Sequence, residues 1–227
     1  MSGHHLPRIV TNGLIFCLDA GNVKSYPSSG TTWADLSGSI YNGALVGGPT
    51  FSDNKIIFAN NSQYANCGGA AAPIRGAQKF TMEAVFSKSL EPHNSLFGAY
   101  NASTGQGWFF QWLNSTFYFG INSGYNHISL PHISGIYHIV GVYDGTESLD
   151  ANKGKIYVNS IRQNVTVAAT WPTSVPVAEI NFYISNLENY SYVTHSLTNY
   201  VTRIYNRALT QTEINQNYEA TRTRFGL

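Results

Sequence analysis

Residues 80–87 read FTMEAVFS, and this stretch decides the fold predicted for the chain. Its large apolar residues fall at every second position, and the side chains of a β-strand point alternately to its two faces. One face would carry Phe80, Met82, Ala84 and Phe86, and the other Thr81, Glu83, Val85 and Ser87. A second stretch, YHIVGVY at 137–143, is apolar at both alternations, which predicts a strand at the centre of a sandwich.

Short runs of the same kind recur along the chain and are separated by turn residues. They lie at 13–18, 55–58, 63–67, 96–100, 108–113, 117–121, 127–130, 155–159, 179–184 and 200–205. Asn42-Gly43 and Asp144-Gly145 are expected to supply left-handed turns between strands. We therefore predict an all-β protein, an antiparallel β-sandwich of the jelly-roll type with roughly ten to fourteen strands. The sequence shows no linker and no repeat, so residues 1–227 form one domain.

One short helix is predicted near the C-terminus, over about residues 211–222. Thr210-Gln211-Thr212-Glu213 fits a capping box, in which the Thr210 and Glu213 side chains satisfy backbone amides reciprocally. Leu209 and Ile214 form the matching hydrophobic staple. We expect the helix to cap the sandwich.

Composition excludes several classes of function. Charged residues make up only 11% of the chain and the net charge is +1, so no field gathers nucleic acid or an anionic membrane. The first residues contain no apolar stretch of the kind that a signal peptide needs. We expect synthesis in a cytoplasm, no nucleic-acid partner and no membrane partner.

Several segments together resemble the laminin-G-like, concanavalin A-like jelly-roll family, in the form found in tailed-phage virion proteins. The most specific are GLIFCLDAGN at 13–22 and IYNRALTQTEI at 204–214. The others are SYP at 25–27, GTTWADLSG at 30–38, NGAL at 42–45, FTMEA at 80–84 and VYDG at 142–145. The resemblance covers nearly the whole chain in the family's order.

This resemblance implies a concanavalin A-like sandwich located in a virion and made in the host cytoplasm. It implies a non-enzymatic structural protein that decorates the head or acts as a tail-attached adaptor. Its partners would be other virion proteins, held in symmetric multiple copies. The position on the virion and the copy number are not implied.

Two other functions are compatible with the fold. The first is a carbohydrate-binding, lectin-like module for host-surface attachment. The second is a glycoside hydrolase of the laminarinase-like class, which needs two carboxylates about 5–9 Å apart. Glu83 is the best-placed acid on a strand, but its neighbours on the same face are Thr81 and Val85. We therefore expect no catalytic residues and predict that the chain is not an enzyme.

Exposed aromatic side chains would contact a glycan or a partner protein. Trp108 and Trp112 share one face of a predicted strand, with Phe109 and Gln111 on the other. Tyr190 and Tyr192 lie in a predicted loop. We name these two tryptophans and two tyrosines as candidate contacts. The alternatives are a strand that fills the core and an ordinary polar loop.

Calcium is the metal that the sequence favours, and no other cofactor is expected. Asp19 ends a predicted strand and Asp35 lies in a turn rich in serine and glycine. Hard cations take oxygen ligands from such loops. Asp35 in an Asx-turn, bonded to the backbone two residues on, is the alternative.

Overall fold

The computed structural model describes residues 7–88, 93–113, 116–122, 124–129, 135–188 and 197–227. Within them the chain forms two antiparallel sheets that pack face to face, with a helix at the C-terminus. The predicted β-sandwich of the jelly-roll type is therefore confirmed. None of the described helices is long and apolar enough to cross a membrane.

The first sheet has its longest strands at its centre. In spatial order its strands are β14 (Ile161–Arg162), β13 (Gly154–Val158), β12 (Gly135–Asp144), β7 (Lys79–Lys88), β17 (Leu197–Tyr205), β5 (Lys55–Phe58) and β4 (Thr50–Ser52), and β1 (Leu14–Asp19) also pairs with β17. Residues 80–87 lie in β7, between β12 and β17. They therefore form the middle of the sheet.

The second sheet is built mostly from consecutive hairpins. In spatial order its strands are β15 (Thr166–Val167), β11 (Gly124–Ser129), β10 (Thr116–Ile121), β9 (Gln106–Leu113), β8 (His93–Asn101), β16 (Tyr183–Ile184), β6 (Tyr64–Asn66), β3 (Gly43–Val46) and β2 (Thr32–Trp33). A 3₁₀ helix over Gly68–Ile74, the short helix α1 (Asp150–Lys153) and the helix α2 (Gln211–Phe225) complete the described chain.

Aromatic side chains from the inner faces of both sheets fill the core. Phe80 from β7 packs against Trp108 of β9 and Phe119 of β10, at ring-centroid distances of 5.2 and 6.0 Å. Gly141 in β12 makes room for this packing, because a Cβ there would overlap the ring of Phe110. The ring of Phe110 therefore fits between the two sheets because the facing residue, Gly141, has no side chain.

The outer face of the first sheet is also covered. Val140 and Val142 of β12 point away from the core and pack with Ile214 of α2 in a second apolar cluster. Phe225, at the far end of α2, packs on Tyr200 at 5.1 Å. These contacts explain why β12 is apolar at both alternations: one face meets the second sheet and the other meets a helix.

A buried polar network ties α2 to this outer face. Glu83 is fully buried. One of its carboxylate oxygens accepts a hydrogen bond from Arg203 Nη1 and also pairs with His138 Nε2, which lies 3.0 Å away. Its other oxygen accepts a 2.6 Å bond from Asn217 Nδ2 on α2. Asn217 Oδ1 in turn accepts the backbone N–H of Val10 at 2.8 Å. The N-terminal segment, the sheet and the helix therefore share one network.

This network determines the ionisation of Glu83. Burial alone would raise the pKa of its carboxyl, but the charge of Arg203 and the bonds from His138 and Asn217 outweigh burial and lower the pKa to about 2. Glu213, in the first turn of α2, has its pKa lowered to about 2 as well, chiefly by its hydrogen bonds from Arg207. Both acids are held in their charged form.

The predicted helix is confirmed at its start and extends beyond the expected end. The capping box is present: Glu213 N donates to Thr210 Oγ1 at 3.3 Å and Thr210 N donates to Glu213 Oε2 at 2.9 Å. The helix continues to Phe225 because that side chain is buried, and it ends at Gly226, which has a left-handed φ of 69°.

The predicted strand number was too low, since the described residues contain seventeen strands. The shortest strands have only two residues, too few to show a period of two. The predicted left-handed turns were also misplaced, because neither Asn42-Gly43 nor Asp144-Gly145 has positive φ. Asp53-Asn54 and Asn159-Ser160 do, with φ between 48° and 64°, and they connect β4 to β5 and β13 to β14.

Replacing the buried arginine tests the network. Arg203→Met leaves the Glu83 carboxylate buried without its cation, and we expect a loss of about 3–5 kcal/mol in the free energy of unfolding. Arg222→Met is the control, because Arg222 pairs with Glu219 on the exposed side of α2 and should leave stability nearly unchanged. Urea denaturation measures both. Equal losses in the two variants would contradict a special role for the buried pair.

Acid is expected to weaken the fold between pH 4.5 and 2. The folded pKa values of Glu83 and Glu213 lie below the ordinary value of 4.5, so the unfolded chain binds protons first as the pH falls. Stability present above pH 4.5 is then lost progressively. Glu213→Gln should make this pH dependence shallower in denaturation curves taken at successive pH values. An unchanged slope would contradict the assignment for Glu213.

Candidate functional site

The outer face of the second sheet carries a set of half-buried aromatic residues. On β10 the side chains of Phe117 and Phe119 lie in the core, so Tyr118 between them points outward. On β11 Asn126 is fully buried, so its neighbours Tyr125 and His127 point outward as well. All three outward rings are partly exposed.

These three rings are in mutual contact. Tyr118 is directly opposite His127 in the strand register, and their ring centroids are 5.3 Å apart. Tyr118 and Tyr125 meet edge to face at 5.6 Å. The register therefore places a cluster of three rings across two neighbouring strands.

The cluster continues onto β9 and β8 through a glycine. The ring of Phe109 lies over Gly120, where a Cβ would come within 2.5 Å of Phe109 Cζ. Tyr100 of β8 meets Phe109 edge to face at 4.9 Å. Because Gly120 lacks a side chain, the Phe109 ring can lie over it beside Tyr125, where the ring is buried.

Two further tyrosines extend the set on the other side. Tyr64 of β6 and Tyr183 of β16 are partly exposed, with ring centroids 5.9 Å apart. Between them and β9, Leu187 lies against Gly98. We call the whole set the aromatic row: Tyr64, Tyr183, Tyr100, Phe109, Tyr118, Tyr125 and His127. It crosses from β6 to β11, five strand spacings or roughly 24 Å.

The strands beneath the aromatic row contain no acidic residue, lysine or arginine. This holds for β6, β8, β9, β10, β11 and β16. Phenol rings offer an apolar face together with a hydroxyl that donates and accepts hydrogen bonds. Such a surface suits an uncharged ligand that combines C–H groups with hydroxyl groups.

The expectation for Trp108 and Trp112 is corrected by the structure. Both indoles lie in the core, where they are 1% and 2% exposed. Trp108 stacks on Phe182 at 5.4 Å. Neither tryptophan can contact a glycan or a partner from this position. The outward residues of the same strand are Phe109 and Gln111, and the alternative of a strand that fills the core is confirmed.

The other aromatic candidates cannot be placed. Tyr190 and Tyr192 lie outside the described residues, so their assignment stays a prediction. The described chain stops at Glu188, whose backbone pairs with Asn101 next to Tyr100, and resumes at Leu197.

Both acids of the predicted calcium site are surrounded by hydrogen-bond donors. Asp19 receives Arg224 Nη1 at 2.7 Å and also Nη2, together with the backbone N–H of Gly21 at 3.0 Å. Asp35 accepts the N–H of Cys17 at 2.6 Å. It also accepts the N–H and hydroxyl of Ser37 at 3.1 and 2.6 Å, and it bonds Ser39 likewise.

This environment is that of an Asx-turn at Asp35 and of an ion pair at Asp19. The hydrogen bonds from these donors occupy the carboxylate oxygens that a calcium ion would need as ligands. Within the described residues no three His, Cys, Asp or Glu side chains are grouped to hold a metal. Calcium binding is left as a prediction without structural support.

Carboxylates in the described part of the chain are mostly paired with cations. Nine acidic residues form ion pairs: Asp19, Asp53, Glu83, Asp144, Glu147, Asp150, Glu179, Glu213 and Glu219. Glu83, the strand acid singled out from the sequence, is enclosed beneath α2. This arrangement does not favour glycoside hydrolysis, and the absence of enzymatic activity stays a prediction.

Neither a protein-family model nor a curated protein matches this chain. Among solved structures, it is similar to the receptor-binding domain of botulinum neurotoxin C/D mosaic serotype, at a TM-score of 0.69 and 13% identity. The match covers 93% of this chain and 52% of that one. A Trypanosoma rangeli sialidase mutant with trans-sialidase activity matches at a TM-score of 0.64 and 16% identity, over 95% of this chain and 34% of the sialidase.

A third similar structure is from botulinum neurotoxin type C, whose cell entry depends on interaction with two ganglioside molecules. It has a TM-score of 0.66 and 10% identity, and the match covers 93% of this chain and 52% of that chain. The chain therefore spans about half the length of the toxin chains and about a third of the sialidase. At these identities the likeness shows the fold alone.

Calcium titration separates the two interpretations of Asp19 and Asp35. We expect millimolar calcium to leave the melting temperature of the protein unchanged, because both carboxylates are already saturated by donors. Differential scanning fluorimetry with calcium, and with magnesium as the control, measures the shift. A rise with calcium alone that Asp35→Asn removes would establish the calcium site instead.

Proposed function

We propose that this domain is a non-catalytic glycan-binding module and that the aromatic row is its binding face. The observation that carries the proposal is the row of mostly half-buried rings, with Phe109 buried among them, over strands without charged residues. Pyranose rings present C–H groups on their faces and hydroxyl groups on their edges. Tyrosine rings match both, since the ring face is apolar and the phenol group is polar.

The shape of the face supports recognition of a chain of sugars over recognition of a buried small molecule. The aromatic row extends across six strands, and its rings are supported from below by a packed core. Rings held in this way lose little conformational entropy when a ligand binds. Binding to such a shallow face depends on a few well-supported rings.

The solved structures with this fold agree with the proposal without establishing it. They include receptor-binding domains of neurotoxins and a sialidase. Their receptors and their chemistry belong to proteins that are two to three times longer than this chain. This chain shares with them a β-sandwich fold, which occurs both in a receptor-binding domain and in a sialidase.

A structural role in a virion stays a prediction from the sequence resemblance. Assembly through a large apolar face would require a contiguous exposed patch. Among the described residues the exposed large apolar side chains come from separate segments of the chain: Val23, Ile40, Val46, Leu149, Ile161, Val167 and Val177. The two roles are compatible, because a protein attached to a virion can also hold glycans.

Removing Tyr118, the ring that contacts both of the others in the cluster of three, tests the proposed face. Tyr118→Ala removes contacts with both Tyr125 and His127, and loss of an aromatic anchor costs roughly 2 kcal/mol, about thirtyfold in affinity. Isothermal titration calorimetry would use cello-, malto- and laminari-oligosaccharides, with the best binder of the wild type carried to the variants. Tyr118→Phe is the matched control and should retain most of the affinity.

Two results would contradict the proposal. One is a wild-type protein that binds none of these oligosaccharides and no glycan on a broad array. The other is a bound glycan whose affinity is unchanged in folded Tyr118→Ala and Tyr125→Ala variants. Circular dichroism and the melting temperature confirm that each variant is folded.

A further inference from the structure

A concave surface lies at the edge of the sandwich, next to the β11 end of the aromatic row. Helix α1 bounds it on one side, and the segment that passes from β14 in the first sheet to β15 in the second bounds it on the other. Its volume is about 370 Å³, and it is lined by Ala151, Asn152, Arg162, Gln163, Asn164 and Val165. This volume is within the range of small-ligand sites. We call it the edge cleft.

One wall of the edge cleft, formed by helix α1, is held in place by buried hydrogen bonds. Asn126 Nδ2 donates to the carbonyl of Gly154 at 2.6 Å, and Asn126 Oδ1 accepts the indole N–H of Trp171 at 2.9 Å. The Lys153 ammonium, at the end of α1, donates to the carbonyl of Trp171 at 3.2 Å. Strand β11, α1 and β13 are therefore held together beneath the cleft.

Arg162 is the charged group of the edge cleft, and it has no carboxylate partner among the described residues. The described arginines at 75, 203, 207, 222 and 224 are all paired with acids. Arg162 instead donates one 3.1 Å hydrogen bond from Nη2 to Asn152 Oδ1. This bond orients the guanidinium and leaves its other N–H groups directed away from Asn152.

Nearby charges do not neutralise Arg162. Asp150 is bound to Lys153 at 2.9 Å and Glu147 is bound to Lys155 at 3.0 Å. Each nearby acid therefore has its own lysine. The edge cleft keeps one uncompensated positive charge, surrounded by the amide groups of Asn152, Gln163 and Asn164.

We propose that the edge cleft binds a sugar that carries a carboxylate. The planar guanidinium of Arg162 matches a carboxylate through paired N–H donors. The three amides supply donors and acceptors for hydroxyl groups. Only Ala151 and Val165 offer apolar lining, which does not favour the side chains of a peptide ligand. The inference does not rest on the aromatic row.

The edge cleft also borders the end of the aromatic row. Thr166 follows Val165 and pairs with His127. Thr166 is the fourth residue after Arg162, so their Cα atoms are at most about 14 Å apart. A glycan that occupies the row and bears an acidic residue at one end would reach both sites.

Nuclear magnetic resonance of the isotope-labelled full chain tests the proposal with three matched probes. These are glucuronic acid, glucose and the methyl ester of glucuronic acid. We expect glucuronic acid alone to shift the amide signals of residues 151–152 and 162–165. Glucose and the ester should leave them unchanged at the same concentration, because neither carries the charge. Inorganic sulfate, added separately, reports whether any anion is sufficient.

Variants assign the effect to Arg162. Arg162→Gln should weaken glucuronic acid binding roughly tenfold or more, since it removes charge-assisted hydrogen bonds. Arg8→Gln is the control, because Arg8 is exposed and is also in no ion pair within the described chain. Both substitutions are at the surface, and melting temperatures verify folding.

Several outcomes would overturn the proposal. They are equal binding of the three probes, equal losses in the two variants, sulfate displacing glucuronic acid with equal affinity, or no shift at 151–152 and 162–165 at the highest soluble concentration. None of them bears on the aromatic row. Conversely, a row that binds no glycan leaves the result at the edge cleft intact.

Discussion

The structure depends on one sheet that carries aromatic side chains on both of its faces. In β9 and β10 the pleat sends alternate rings inward to the core and outward to the aromatic row, and β11 adds the outward rings of Tyr125 and His127. The inward rings of Phe110, Phe117 and Phe119 hold the strands in a fixed register against the first sheet. The same register sets the positions of the outward rings. The proposed binding face is thus built directly on the packing that stabilises the fold.

The first sheet explains why the binding face is on the second. Its outer surface is covered by α2, which is fixed there by apolar contacts at both ends and by the network around Glu83. Glu83 is held by Arg203 of β17 and by Asn217 of α2. Breaking these contacts is costly, because either partner left alone is a buried unpaired group. Helix α2 therefore covers the central strands of that face.

Sequence patterns predicted the fold because alternation and helix capping are local properties. Residues 80–87 predicted a strand from their own period, and Thr210 with Glu213 marked the start of α2. The two-residue strands were missed because pairing partners distant in sequence define them. The end of α2 was missed because Phe225 is held by Tyr200, a tertiary contact that no local rule reports.

The sequence-based prediction of the candidate site chose the correct strand, β9, but the face of that strand that points into the core. The sequence does not show which face of β9 is buried. One face carries Trp108 and Trp112 and the other carries Phe109 and Gln111, so both faces include large apolar residues. What decides the choice is the position of β9 between β8 and β10, together with the glycines that accept the rings. Gly120 would have been the signal, since a glycine within the strand predicted by 117–121 indicates a close neighbour. Arg162 gave no signal at all, because the lack of an acidic partner is visible only in three dimensions.

The most direct test of the central claim is a crystal structure of the protein with the oligosaccharide that binds it best. We expect sugar rings to lie against Tyr118 and Tyr125 and to extend across β10 toward Tyr100. A ligand bound only at the loops of the sandwich, with the aromatic row unoccupied in every copy, would contradict this expectation.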